Sequence, residues 1–335
     1  MSGRTNKARR RRRRLLVAGV IVSLLLGWLT YEILLSPGAA IRRAEAFLFR
    51  RMTVVQLEEG RYRYFYATNR SLESGDDSIE DRVTDEHSNS LKFGAYDISL
   101  SPMLGLGLNL SWADMLQTEM ISLDEIREYE KDGFVEALKS YVDASPRRSV
   151  FIMVHGFRER FPLALRRTAF FASVLDANTP VLVFDWPADQ QGLISGYREA
   201  RQVATKSASE LAELLRVIVR EVKPGHVSIL GNSLGAQVVV DAFSHLYADA
   251  DFRDADVEFG QVFLTAPDVS RARFNDQFRD EIASLADELT VSVASNDRAL
   301  IVSRLITGEA RAGEGTVSPD QFEEAVELAQ LVEPG

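Results

Sequence analysis

From residue 150 onward the chain alternates short apolar runs with longer stretches in which apolar residues recur at helical spacing. The runs at 150–154, 181–184, 227–230, 259–264 and 289–294 are four to six residues long and rich in β-branched and aromatic side chains. Runs of that length and composition predict strands buried on both faces. The stretches 163–175, 204–222, 234–247 and 274–286 predict helices between them. Strand–helix alternation of this kind implies an α/β class with a mostly parallel sheet flanked by helices, joined by right-handed crossovers. Further upstream, 61–67 and 92–100 predict two more strands and 134–142 a helix that ends before Pro146. The polar, acidic stretch 71–90 reads as a surface loop. Gly105 and Gly107 mark a mobile loop, because no Lys-Ser/Thr pair follows as a phosphate-binding loop requires.

The amino-terminal pattern is different. Residues 15–35 form an apolar run whose only charge, Glu32, is near its end. At about 1.5 Å per residue it spans about 31 Å, the thickness of a bilayer's hydrocarbon core. Trp28 and Tyr31 lie toward one end, where interfacial aromatics are favoured. Eight Lys/Arg residues precede the run and place the amino terminus in the cytoplasm, with the bulk of the chain outside, in the periplasm of a Gram-negative cell. A cleaved signal peptide is the competing reading. It calls for a shorter apolar region and an A-x-A-like site, to which Pro37-Gly38-Ala39-Ala40 is only an approximation. Residues 40–59 look like a short helical connector.

Composition narrows the function classes. The formal charge is −10, and setting aside the eight amino-terminal cations leaves the remainder at −18. So acidic a body argues against nucleic acid as a partner. There is no cysteine, which excludes disulfides, thiolate metal sites and a lipidated amino terminus. The four histidines, His87, His155, His226 and His245, are too far apart for paired helical metal ligation, so no metal is expected. No cofactor motif is present either.

The candidate chemistry sits where the strands end, the position at which open parallel sheets bind ligands. Gly231-Asn232-Ser233-Leu234-Gly235 follows one strand and opens a helix. In that context G-x-S-x-G makes Ser233 a candidate nucleophile, exposed on a sharp turn at a helix N-terminus. A Gly-rich turn with a helix-capping serine is the plainer alternative. His155-Gly156-Phe157 ends the strand 150–154. The backbone N–H groups of Phe157 and Leu234 are the candidate oxyanion hole. His155 itself reads as a structural histidine of the turn. In Phe184-Asp185-Trp186-Pro187, Asp185 is a candidate catalytic acid or, in the favoured reading, bonds loop backbone, and Trp186 is expected to pack beside a pocket together with His155 and Tyr197. A Ser–His–acid site also needs a carboxylate. Asp297 is the favoured acid, since it follows the second strand after the nucleophile's, and Asp268 is a structural or alternative acid.

Taken together these residues resemble a family of bacterial α/β hydrolases of unassigned function, of the esterase/lipase-superfamily type. The resemblance spans most of 61–312. It is carried by Phe65-Tyr66-Ala67-Thr68-Asn69-Arg70, His155-Gly156-Phe157, the stretch 164–169, Phe184-Asp185-Trp186-Pro187, Tyr197, the Ser233 elbow, Ala266-Pro267-Asp268 and the stretch 295–300. It implies the α/β-hydrolase fold and a Ser233 nucleophile, and names no substrate. The family commonly has histidine at the position of Asn232 and an acid at that of Ala200. A third departure is weightier. In this fold the triad histidine follows the acid, yet the 38 residues after Asp297 contain none. Either the chain is truncated before the histidine loop, or the base has been lost and the pocket kept.

The expected organisation is a basic cytoplasmic tail (1–14), a transmembrane anchor (15–35), a connector (36–60), the hydrolase domain (61–312) and a carboxyl-terminal tail (313–335); the stretch 309–335 is acidic and mostly helical in pattern. Two functions compete. One is a membrane-anchored serine hydrolase taking a small-molecule or lipid ester. The other is an inactive hydrolase-fold protein that binds or scaffolds in the envelope.

Overall fold

The computed structural model describes residues 56–58, 61–75, 77–100, 121–174, 179–192, 194–253, 259–293 and 298–315. The basic tail, the apolar segment 15–35, Gly105, Gly107 and Asp297 lie outside these residues. Nine strands form one sheet: β1 (Gln56–Glu58), β2 (Arg61–Leu72), β3 (Val83–Leu100), β4 (Ile121–Tyr129), β5 (Ser149–Val154), β6 (Val181–Asp185), β7 (His226–Asn232), β8 (Phe259–Thr265) and β9 (Ala286–Ser292). Their order is β4-β3-β2-β6-β5-β7-β8-β9, with β1 pairing with β2. From β2 through β6 to β9 every pairing along this order is parallel, while β2–β3 and β3–β4 are antiparallel.

Each predicted strand after residue 149 is present, to within three residues at either end. The reason lies in the side chains. Val150, Ile152 and Val154 of β5 point to one face, and Phe151 and Met153 to the other, all of them buried. Helices α1 (Lys131–Ala144), α3 (Ile194–Val217) and α4 (Gly235–Ala248), with the helical stretch 271–283, cover the first face. Helix α2 (Phe161–Val174) covers the second. A strand sandwiched between two layers has no solvent face and so no polar alternation. In β2 the pleat divides the aromatic residues in the same way. Tyr62, Tyr64 and Tyr66 join Tyr96, Met153 and Phe161, while Phe65 and Ala67 join Phe93 and Phe134.

Five expectations need correction. The stretch 71–90 is not a loop: it contains a helical turn, Ile79–Arg82, and the first half of β3, which pairs with β2 through Arg70↔His87 and Leu72↔Val83. The strand β4 was not expected at all. Gln56–Glu58, inside the supposed helical connector, is a strand. Residues 310–314 are not helical; they bridge to Ser270 and pack inward, with Arg311 and Glu314 buried. The helix expected at 274–286 is broken by a wide π turn at Phe274–Phe278.

Gly133 sits in the first turn of α1, exposed, with nothing within 4 Å of where a Cβ would stand. Alanine there restricts the unfolded chain and keeps every contact. Gly133→Ala is expected to stabilise the fold by about 0.5–1 kcal/mol, read as a higher urea midpoint at unchanged slope.

The topology also fixes where a site can form. The chain leaves β5, adds β6 on one side of it, then crosses to add β7 on the other. The turns after β5 and β7 thus diverge over a crevice at the carboxyl ends of the strands, the usual place for a ligand in such a sheet.

Candidate active site

Ser233 stands at the lip of that crevice. Its φ is +51°, a left-handed conformation that costs a non-glycine residue roughly 1–3 kcal/mol. The surrounding backbone enforces it. The Ser233 N–H donates to the Thr265 carbonyl at 2.9 Å, and the Ser233 carbonyl accepts the Asp268 N–H at 3.1 Å. The flanking glycines are sterically required. A Cβ on Gly231 would stand 2.9 Å from Ala236 Cα, and one on Gly235 would collide with the carbonyl oxygens of Val154 and His155. The serine hydroxyl is half-buried and forms no hydrogen bond among the described residues.

The turn after β5 lies against this elbow. A Cβ on Gly156 would be 3.3 Å from Ser233 Cβ and 3.3 Å from the Asn232 carbonyl oxygen. The N–H groups of Phe157 and Leu234 make no backbone hydrogen bond among the described residues. Two free donors beside a free hydroxyl are the parts of an oxyanion site. The Phe157 ring packs edge-on to Tyr197, with centroids 5.6 Å apart.

His155 and Trp186 do not line an open pocket, contrary to expectation. Both are completely buried, stacked with ring centroids 5.7 Å apart. The Trp186 indole N–H donates to the His155 carbonyl at 2.9 Å, which fixes it behind the turn. Asp185 is corrected as well. Its carboxylate bonds side chains, not loop backbone: Thr68 Oγ1 at 2.7 Å, Arg70 Nε at 2.8 Å and His155 Nε2 at 3.1 Å. Burial pushes this carboxyl's pKa up, but Arg70, His155 and Thr68 outweigh it and hold the group below the usual carboxylate range. The loop backbone is held instead by Arg70, whose Nη2 donates to the carbonyls of Glu159 at 2.7 Å and Trp186 at 2.9 Å. In the sequence Arg70 and Thr68 stand out only as part of the motif 65–70. Nothing local indicates that an arginine ending an aromatic strand will be buried.

Asp268, the alternative acid, is buried and engaged on three sides. It accepts from Tyr197 Oη, Ser303 Oγ and Arg311 Nε, each at 2.6 Å. Burial, followed by this carboxylate, pushes the Tyr197 hydroxyl's pKa up, so it stays a donor. Asp268 therefore braces the turn whose N–H holds the elbow. Asp297 lies outside the described residues, beyond the end of β9.

None of the four histidines is hydrogen-bonded to Ser233. His155 is committed to Asp185 and the Gly156 carbonyl, and His87 to Glu210 at 3.2 Å. His226 begins β7, at the wrong end of the strand, and His245 is in the last turn of α4. A depression of about 720 Å³ opens beside Ser71, Lys92, Glu128 and Lys131, away from the serine. Among the described residues no three His, Asp or Glu side chains are grouped to hold a metal.

Residues 130–332, more than half of the chain, match the family described as "Alpha/beta hydrolase of unknown function (DUF900)". The chain belongs to this family. The α/β-hydrolase fold, with its mostly parallel sheet between helices, accounts for the elbow after β7 and the adjoining turn after β5. Among curated proteins no relative matches this hydrolase-fold chain. A crystal structure of an inhibited esterase B from Lactobacillus rhamnosis is similar over 88% of this chain and 93% of that one, at 11% identity and a TM-score of 0.29. At that TM-score the two backbones superpose too poorly for the likeness to carry anything further.

Proposed function

We propose that this α/β hydrolase is a membrane-anchored serine hydrolase that cleaves an acyl ester of a small molecule or lipid through Ser233. The observation that carries the reading is the elbow. A serine is held in a strained left-handed conformation, and among the described residues its hydroxyl and the two backbone donors beside it have no hydrogen-bond partner. Strain of this kind persists only where the surroundings impose it, and it concentrates at functional positions. In the reaction Ser233 Oγ attacks the acyl carbon, and the N–H groups of Phe157 and Leu234 receive the developing oxyanion. Asp297 orients the base that takes the serine proton. The described residues do not supply that base. The segment 15–35 anchors the protein with its amino terminus in the cytoplasm and the hydrolase domain outside, in the periplasm if the cell is Gram-negative. Among the described residues no helix is long and apolar enough to cross a membrane, and this segment is not among them.

The histidine geometry favours a second reading, an inactive hydrolase-fold binding or scaffold protein. A serine without a base remains a weak nucleophile, and loss of a triad member leaves only about 10³–10⁴-fold catalysis over water. A fluorophosphonate probe separates the two. Labelling of the wild-type protein that disappears in Ser233→Ala supports the hydrolase. Equal absence from both proteins would rule it out in favour of the binding role.

A further inference from the structure

A continuous run of hydrogen bonds leads from the antiparallel part of the sheet to the candidate oxyanion hole. It begins at Arg70, near the carboxyl end of β2 and outside the stretch that matches the family. The side chain is 1% exposed, and four groups fix its guanidinium: the carboxylates of Asp185 and Asp85 and the carbonyls of Glu159 and Trp186. Asp185 in turn meets His155 Nε2 at 3.1 Å. The other ring nitrogen, Nδ1, is 3.0 Å from the Gly156 carbonyl oxygen. A carbonyl only accepts, so Nδ1 carries a proton; Nε2 carries one as well where it donates to Asp185, and the run passes through that arrangement, whereas an unprotonated Nε2 would accept the Trp186 N–H that stands 3.2 Å from it.

That last contact has a geometric consequence. The Gly156 carbonyl and the Phe157 N–H belong to one peptide unit. In a planar trans peptide they point in opposite directions. No cis peptide occurs among the described residues. A ring that holds the carbonyl therefore aims the N–H, and this N–H, which has no backbone acceptor among the described residues, belongs to the turn that lies against Ser233.

We propose that Arg70 is a positioning residue for the oxyanion hole: through Asp185 and His155 it sets the plane of the Gly156–Phe157 peptide and so the direction of the Phe157 N–H. Its catalytic consequence rests on the serine-hydrolase reading above, but the linkage to His155 does not. Lysine cannot replace it. One ammonium has no planar fork with which to hold a carboxylate and two carbonyls in fixed directions.

The test uses the full chain in detergent with ¹⁵N-labelled histidine. The four histidines give few ring signals, and that of His155 is identified by its loss in His155→Gln. The buried, carbonyl-bonded Nδ1–H is expected as a slowly exchanging signal in the wild type. In Arg70→Lys it should shift or broaden while the far-UV circular dichroism is unchanged. The inactivation rate with fluorophosphonate should fall about 10–100-fold while the probe's binding constant changes little. Complete removal of one oxyanion donor elsewhere costs about 10²–10³, and a misaimed donor less. If Arg70→Lys does not fold, Thr68→Val carries the test. It removes one bond to Asp185 and keeps the arginine, and the same signal should shift with a smaller fall in rate. An unaltered His155 signal in the folded variant overturns the proposal, whatever happens to the rate. So does a shifted signal with an unchanged rate in a wild type that labels. A wild type that never labels defeats the hydrolase reading alone and leaves the linkage to the ring signal.

Discussion

Asp185→Ala is expected to destabilise the protein by about 3–5 kcal/mol, a large part of the 5–15 kcal/mol that typically separates folded from unfolded. The cost does not come from losing an attractive pair. It comes from leaving the Arg70 guanidinium, 1% exposed, without an acceptor for its Nε in a place water does not reach. Thr68 Oγ1 and His155 Nε2 lose the same acceptor. Denaturant titration should show a lower midpoint, and Asp185→Asn a smaller drop, because the amide keeps one oxygen for Arg70. The same carboxylate gives stability a direction with pH. Its folded pKa lies below its unfolded value, so its contribution is complete above the ordinary carboxylate range. The contribution is lost as pH falls below that range and through the depressed folded value. The wild type should therefore lose stability on acidification more steeply than Asp185→Asn, whose residue 185 takes up no proton. Parallel slopes for the two proteins would show that Asp185 is not held as an anion.

Gly235→Ala is expected to cost upwards of about 3 kcal/mol and to abolish labelling of Ser233, although it adds one methyl group to the start of a helix. Alanine at such a position normally helps. Here the new carbon would stand 2.5 Å from the Val154 carbonyl oxygen and closer still to that of His155. These are backbone atoms of a central strand and its turn, and no rotamer change moves them. The contrast with Gly133→Ala, whose methyl group meets only open space, separates helix propensity from the packing of the elbow. If the two substitutions had similar effects on the denaturation midpoint, close approach of α4 to the β5 turn would be excluded.

The parallel strands were legible because burial on both faces leaves an uninterrupted apolar run. The turns were legible because a sharp strand-to-helix corner admits few residues besides glycine. The first half of β3 and the whole of β4 were not. Residues 84–90 read Thr-Asp-Glu-His-Ser-Asn-Ser, and β4 is half charged. Their strand conformation comes from pairing with a neighbour, not from their own preference. The same physics hid the Arg70 network. A buried charge is tolerated only if its partners are present, and the partner here is 115 residues further along the chain. His155 is the structural histidine that its turn implies, whereas the bonding of Asp185 to side chains was not legible, because its partner Arg70 is remote in sequence. Asp268 was recognised as an acid, but its three donors come from α3, from helix α5 (Arg298–Thr307) and from Arg311. No spacing rule links those segments.

The family match begins at residue 130, whereas the sheet does not. β6 is completed on one side by β5 and on the other by β2, which pairs Phe65 with Leu182 and Thr68 with Asp185. A polypeptide cut at residue 130 would present the bare flank of Val-Leu-Val-Phe, apolar and flat, to any other chain able to add a strand. The antiparallel ribbon is thus a guard against self-association as well as part of the core. Without it, the expected fate of the matched region is insoluble aggregate.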